Sequence, residues 1–114
     1  MPASLKGIRV LEMSQIMAGP TCGLLLADLG AEVIKIEKTP GGDDTRRFLP
    51  PDINGEAAAF MMMNRNKKGI ALNLKDKDGI EIFKRMVKHS DVVLENFRKG
   101  TLEKLGIGYE VISK

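Results

Sequence analysis

The sequence predicts an α/β layered domain with a mainly parallel sheet and flanking helices. Two observations carry this. Short apolar segments rich in Val and Ile alternate with helical segments along the chain. Near the N-terminus, strand, short helix and strand follow one another within about thirty residues, as in a parallel βαβ unit.

The first strand is placed at residues 7–13. Ile8, Val10, Leu11 and Met13 suit a strand buried on both faces better than strict alternation does. A helix is placed at residues 20–29. Pro20 fits the first helical position, where its missing N–H costs nothing, and Gly30 fits the left-handed residue after the end. Residues 31–38, with Val33, Ile34 and Ile36, form the second strand. Residues 39–56 are a long polar loop, and a loop of that length in a small domain is usually functional or disordered. Residues 56–64 form a short helix whose Ala and Met run is apolar nearly all round, which predicts burial. Residues 69–75 alternate as a third strand. Asp76 caps a helix to about Lys88, with Ile80, Phe83 and Val87 on one stripe. Residues 91–96 are the fourth strand, residues 99–105 a short helix ended by Gly106, and residues 109–114 begin another. These helices are few for covering four strands on both faces, so a further segment or partner is expected to complete the layers.

The 114 residues fit one domain. Hydrophobic residues make up 43%, which excludes a disordered tail, and no apolar run approaches a bilayer span. A single cysteine, Cys22, excludes an internal disulfide and a cysteine-rich zinc site, and a cytoplasmic setting is expected. The net charge is +3 and aromatic residues are 4%, so stacking platforms for nucleic acid are scarce. The basic excess fits an anionic small molecule better than a polyanion.

Ligands in open α/β sheets sit beyond the carboxyl ends of the strands. Polar groups gather at each such end. Ser14, Gln15 and the Ala18-Gly19-Pro20 turn follow the first strand, and Glu37 and Lys38 follow the second. Asn73 and Lys75 close the third, and Glu95, Asn96, Phe97 and Arg98 the fourth. They either converge on one crevice or are a tight turn and solvated strand ends. Gly19 and Glu37 have roughly the spacing of a dinucleotide site, yet the G-x-G-x-x-G pattern is absent and Pro20 removes an N–H near the helix start. No P-loop pattern is present. Arg65, Lys67 and Lys68 are either a phosphate-binding cluster or a basic loop in water. Gly41 to Asp44 read as a lid or a turn, Cys22 as packed within its helix, and Met61 to Met63 as core or interface. Spacing nominates no catalytic pair, triad or metal site.

Gly7-Ile8-Arg9-Val10-Leu11-Glu12 resembles the opening of the family III CoA-transferases, which include formyl-CoA transferase, carnitine CoA-transferase and α-methylacyl-CoA racemase. Ala18-Gly19-Pro20, the run from Leu26 to Glu37, and Gly42-Asp43-Asp44-Thr45-Arg46 follow in that family's order. Asn64 to Lys75, Asp91 to Arg98 and Leu102 to Tyr109 complete the series. The resemblance covers nearly all of the chain. It implies the N-terminal, CoA-binding part of a Rossmann-like large domain, incomplete here, with the catalytic segment and small domain absent. It implies coenzyme A or acyl-CoA as substrate rather than a tightly bound cofactor, and a carboxylic acid as the second substrate. The positions matching the family's CoA contacts are Gln15, Ile16, Ala18, Lys38, Leu72, Lys75, Asn96, Phe97, Arg98 and Lys104. In such a site, lysines and arginines neutralise the phosphates, and a close Gly-Pro turn admits the pantetheine arm. Lys38 and Lys104 stand where several relatives carry arginine, and Met17 where formyl-CoA transferases carry glutamine.

The resemblance further implies an aspartate nucleophile that forms an enzyme anhydride and then an enzyme–CoA thioester. The resemblance places that aspartate downstream, and Asp28, Asp43, Asp44 and Asp91 each match a different family position, so no catalytic residue and no metal ligand is assigned. Two other readings stand beside it: a portion of an α-methylacyl-CoA racemase, and a non-catalytic binding or assembly module. A homo-oligomer or a completing polypeptide segment is the expected partner, with neither nucleic acid nor membrane.

Overall fold

A computed structural model describes residues 3–114. Its centre is a four-stranded parallel sheet made of β1 (Arg9–Glu12), β2 (Glu32–Glu37), β3 (Lys68–Ala71) and β4 (Val92–Leu94). The spatial order is β3-β2-β1-β4. The chain steps outward from β1 to β3, then crosses back to place β4 on the far side of β1. That reversal is the topological switch point at which doubly wound sheets open a crevice.

Helix α1 (Ala18–Asp28) returns β1 to β2. Helix α2 (Ala58–Asn64) precedes β3 and follows a small antiparallel hairpin, in which Asp52 and Ile53 pair with Ala57 and Glu56. Helix α3 (Lys77–Val87) returns β3 to β4, and the short helices α4 (Thr101–Lys104) and α5 (Tyr109–Ile112) follow β4. The predicted strands are all present, each shorter than predicted. Asp76 caps α3 as expected, accepting from the Asp78 N–H at 2.8 Å.

Successive residues of β1 face opposite layers, as strand geometry requires. Leu11 and Met13 join Ile36, Leu72, Phe83 and Ile107 under α3, α4 and α5. Val10 joins Ala27, Ala31 and Val33 under α1. The central strands are thus covered on both faces, while the edge strands β3 and β4 stay largely open.

Three features differ from the sequence reading. Helix α1 starts two residues earlier than expected, so Ala18 and Gly19 lie inside its first turn and Pro20 is its third residue rather than its first. Pro20 is still tolerated, because the first N–H groups of a helix lack intrahelical partners. Cys22 is exposed rather than packed. The face of α1 on the sheet is the small-residue row Gly19, Gly23 and Ala27, and Cys22 lies off it with the exposed Leu25 and Leu29. Helix α2 is not buried: Met61 and Met62 are 45% and 62% exposed. It leans on α1, where the Thr21 hydroxyl donates to Met63 Sδ at 3.3 Å, and on the turn of residues 44–47, where Arg46 lies over Phe60. The folded chain exposes 7471 Å², against about 6,200 Å² for a compact monomer of this mass, so apolar surface remains uncovered.

Candidate functional site

The carboxyl ends of the strands open into a cleft of about 330 Å³. Its floor is Met13, Ile36 and Leu72, and its walls include Gln15, Lys38, Lys75 and Phe97. The structure therefore brings together Gln15, Lys38, Lys75 and Phe97, four of the strand-end residues, with Leu72, which the resemblance named. Ile16, Ala18, Asn96, Arg98 and Lys104 do not line this cleft.

Asn96 has a different task. Its Oδ1 accepts from the Gln15 N–H at 2.9 Å, and its Nδ2 donates to the Gln15 carbonyl at 2.8 Å. The side chain clamps the backbone after β1 against the end of β4. Ile16 is held with φ at 69°, a conformation costly for a β-branched residue. Its N–H donates to Asp43 Oδ1 at 3.1 Å, which ties the residue down. Ala18 opens α1. Arg98 and Lys104 are exposed.

Gly19 has a packing reason that the sequence reading did not foresee. A Cβ there would lie 2.1 Å from Ser14 Cβ and 3.1 Å from Asn96 Cγ. The gap that glycine leaves is filled by the protein's own side chains.

Beneath α1 lies a buried charge network that sequence reasoning missed. Lys35 donates to Glu12 Oε2 at 2.9 Å and to the Ser14 carbonyl at 3.0 Å, and pairs with Asp43 at 2.8 Å. Lys67 pairs with Glu12 Oε1 at 2.7 Å and donates to the Pro20 carbonyl at 2.9 Å. Two cations and two anions balance, and that balance offsets much of the desolvation cost of burying them. Burial pulls the Lys67 ammonium below the usual lysine range, although Glu12 opposes it. A signal was available. Glu12 and Lys35 are charged residues within apolar strands, and in the parallel register they stand opposite each other.

The network also settles the fate of the basic cluster. Lys67 is spent on Glu12, Lys68 on Glu32 at 2.6 Å and Arg65 on Asp28 at 2.6 Å. Only Lys67 is buried; the Lys68 and Arg65 pairs are exposed, and none of the three lines the strand-end cleft.

The segment after β2 is anchored rather than a free lid. Asp43 is 1% exposed, and it accepts from the Thr45 N–H at 3.0 Å and the Thr45 hydroxyl at 2.8 Å. Burial pushes its carboxyl up, but Lys35 and Thr45 together hold it below the usual range. Glu37 takes both guanidinium arms of Arg46 at 2.7 Å and the Asp43 N–H at 2.9 Å. Arg46 keeps the Glu37 carboxyl below its ordinary value despite burial. The same guanidinium stacks over Phe60, 3.7 Å from the ring centre, which adds a cation–π contact. Glu37 is thus committed to Arg46, and both of its oxygens already accept hydrogen bonds.

Among the described residues no helix is long and apolar enough to cross a membrane, and no group of His, Cys, Asp and Glu is arranged to hold a metal.

The family model for CoA-transferase family III matches residues 5–114. The chain is similar to a mouse succinyl-CoA:glutarate CoA-transferase, with 47% identity over 96% of this chain and 25% of that protein. It is similar to the beta subunit of a succinyl-CoA–L-malate CoA-transferase of Chloroflexus aurantiacus, with 46% identity over 96% of this chain and 27% of that subunit. Among solved structures it superposes on a CAIB/BAIF family protein from Brucella suis with a TM-score of 0.91 and 44% identity, over 99% of this chain and 31% of that one. The chain spans about a quarter to a third of the length of these relatives.

Proposed function

The chain belongs to CoA-transferase family III, and from that membership we propose that its strand-end cleft binds the CoA portion of an acyl-CoA. One observation carries the proposal: residues from the ends of three different strands, together with Phe97 after the fourth, meet in one apolar-floored cleft flanked by lysines. CoA needs both features. Its phosphates are neutralised by Lys38 and Lys75, and its adenosine and pantetheine parts lie against Leu72 and Phe97. Asn96 fixes the Gln15 backbone, so it acts as a positioning residue. Ile16, Ala18, Arg98 and Lys104 border the strand-end region beyond the cleft and complete the proposed contact set.

The reaction proposed for the whole enzyme moves CoA from an acyl-CoA to a carboxylic acid. An aspartate carboxylate attacks the thioester carbonyl and releases CoA thiolate, giving a mixed anhydride. The thiolate then attacks the aspartyl carbonyl, giving an enzyme thioester and the free donor acid. The acceptor carboxylate repeats the sequence in reverse. No aspartate lines the cleft. Asp28, Asp43 and Asp44 are ion-paired, Asp52, Asp76 and Asp91 accept backbone N–H groups, and Asp78 lies in the first turn of α3. By the family resemblance, the proposed nucleophile comes from outside residues 3–114. The names of the two relatives support transfer over racemisation, and they make a dicarboxylic acid the first acceptor to assay.

Calorimetric titration of the protein with CoA against its Lys75→Ala variant tests the assignment. Lys75 is exposed and holds no ion partner among the described residues. Its removal is expected to weaken CoA binding by about tenfold, the effect of one charged contact of about 1.4 kcal/mol. Unchanged affinity would remove Lys75 from the site.

A further inference from the structure

Lys38 reaches the cleft with a partner already in hand. Its ammonium pairs with Asp44 Oδ1 at 2.8 Å, and the same oxygen accepts from the Arg47 guanidinium. Arg47 also donates to the Gly41 carbonyl at 3.2 Å, which holds it over the loop. One carboxylate oxygen thus sits between two cations at the cleft rim. All three side chains are 38–58% exposed, so the ion pairs are weak and exchange readily.

Resting on the CoA reading above, we propose that Lys38 and Arg47 form a two-cation clamp for a phosphate of CoA, with Asp44 as the resident counterion that the phosphate displaces. The Asp44 oxygen marks where a phosphate oxygen binds, because a carboxylate and a phosphate present the same acceptor chemistry to a lysine and an arginine. Lys75 supplies a further cation on the cleft wall. A phosphate offers these cations several acceptor oxygens where Asp44 offers one. Asp44 keeps the empty rim neutralised and lowers the affinity that the cations would otherwise give. Arg47, which the sequence reading did not nominate, becomes a binding residue.

The fold tolerates the test. Asp43, not Asp44, caps the 3-10 turn of residues 44–47 through its bond to the Thr45 N–H. The protein and its Asp44→Asn and Arg47→Ala variants are titrated at low ionic strength with CoA, dephospho-CoA and pantetheine. Asp44→Asn is expected to bind CoA about two- to fivefold more tightly and Arg47→Ala to bind it weaker by a similar factor, the size of a partly exposed charge pair. Pantetheine, which carries no phosphate, is expected to bind all three proteins alike. If dephospho-CoA loses the Asp44→Asn gain, the clamp holds the ribose phosphate; if it keeps the gain, the clamp holds the pyrophosphate. Equal CoA affinity in both variants and the parent, or a gain shared by pantetheine, overturns the clamp while leaving the CoA site standing. Absence of CoA binding in the parent protein overturns both.

Discussion

Lys35→Met is expected to destabilise the protein by about 3–5 kcal/mol at pH 7, the cost of removing one partner from a buried ion pair. Lys35 is 2% exposed and is the only described cation paired with Asp43. Without it, Asp43 is a buried carboxylate with nothing but the Thr45 and Ile16 groups to satisfy it. A domain of this size is stable by roughly 6–17 kcal/mol, so the loss is a large fraction of the total. The damage reaches the cleft as well, because Asp43 holds the Ile16 N–H in its left-handed conformation.

The pH dependence checks the cause. In the parent protein the Asp43 carboxyl is held below its unfolded value. That difference contributes stability at pH values above the unfolded pKa of about 3.9, and the contribution is lost as pH falls through the folded value. In the variant the same carboxyl is buried without its cation, so its folded value rises and ionisation becomes a cost. Chemical denaturation at pH 7 and near pH 4 is therefore expected to show a wide gap between parent and variant at neutral pH and a narrower one in acid. A gap independent of pH would mean that Lys35 acts through packing alone.

Phe83→Ala is expected to cost about 3–5 kcal/mol, the transfer and cavity terms of a buried aromatic side chain. Phe83 is fully buried, on the inner face of α3. It clusters with Met13, Ile36 and Leu72, the three residues whose other sides form the cleft floor. The cavity left behind lets that floor sag, so the variant is expected to lose CoA affinity as well as stability. Excess CoA is expected to recover part of the stability, because a ligand that binds only the folded state raises its population. Thermal unfolding with and without CoA reads both effects. A stable Phe83→Ala protein with parental CoA affinity would refute the coupling between core and cleft.

Much of the architecture was legible because its causes are local. Strand β1, the Asp76 cap and the Ile80, Phe83 and Val87 stripe of α3 follow from spacing alone. That Gln15, Lys38, Lys75 and Phe97 could meet in one crevice followed from a general rule about strand ends, whereas Leu72 came from the family resemblance. What spacing does not carry is which charged groups find each other. Glu12 and Lys35 are far apart in sequence and become neighbours only through the β1–β2 register. Arg46 looks like a loop residue until its guanidinium closes on Glu37. The exposure of α2 and Cys22 depends on which elements pack over them, and a helical wheel does not show that. Gly19 resembled a ligand-facing glycine, whereas the nearest atoms belong to Ser14 and Asn96.

The central claim is that the strand-end cleft takes coenzyme A and not a nicotinamide dinucleotide. Both ligands offer a pyrophosphate and an adenosine, so a titration of the same protein with CoA and then with NAD separates them under one set of conditions. The account predicts saturable CoA binding and no heat with NAD, since Glu37 is locked to Arg46 and no glycine-rich phosphate loop opens α1. Saturable NAD binding with no response to CoA would contradict it.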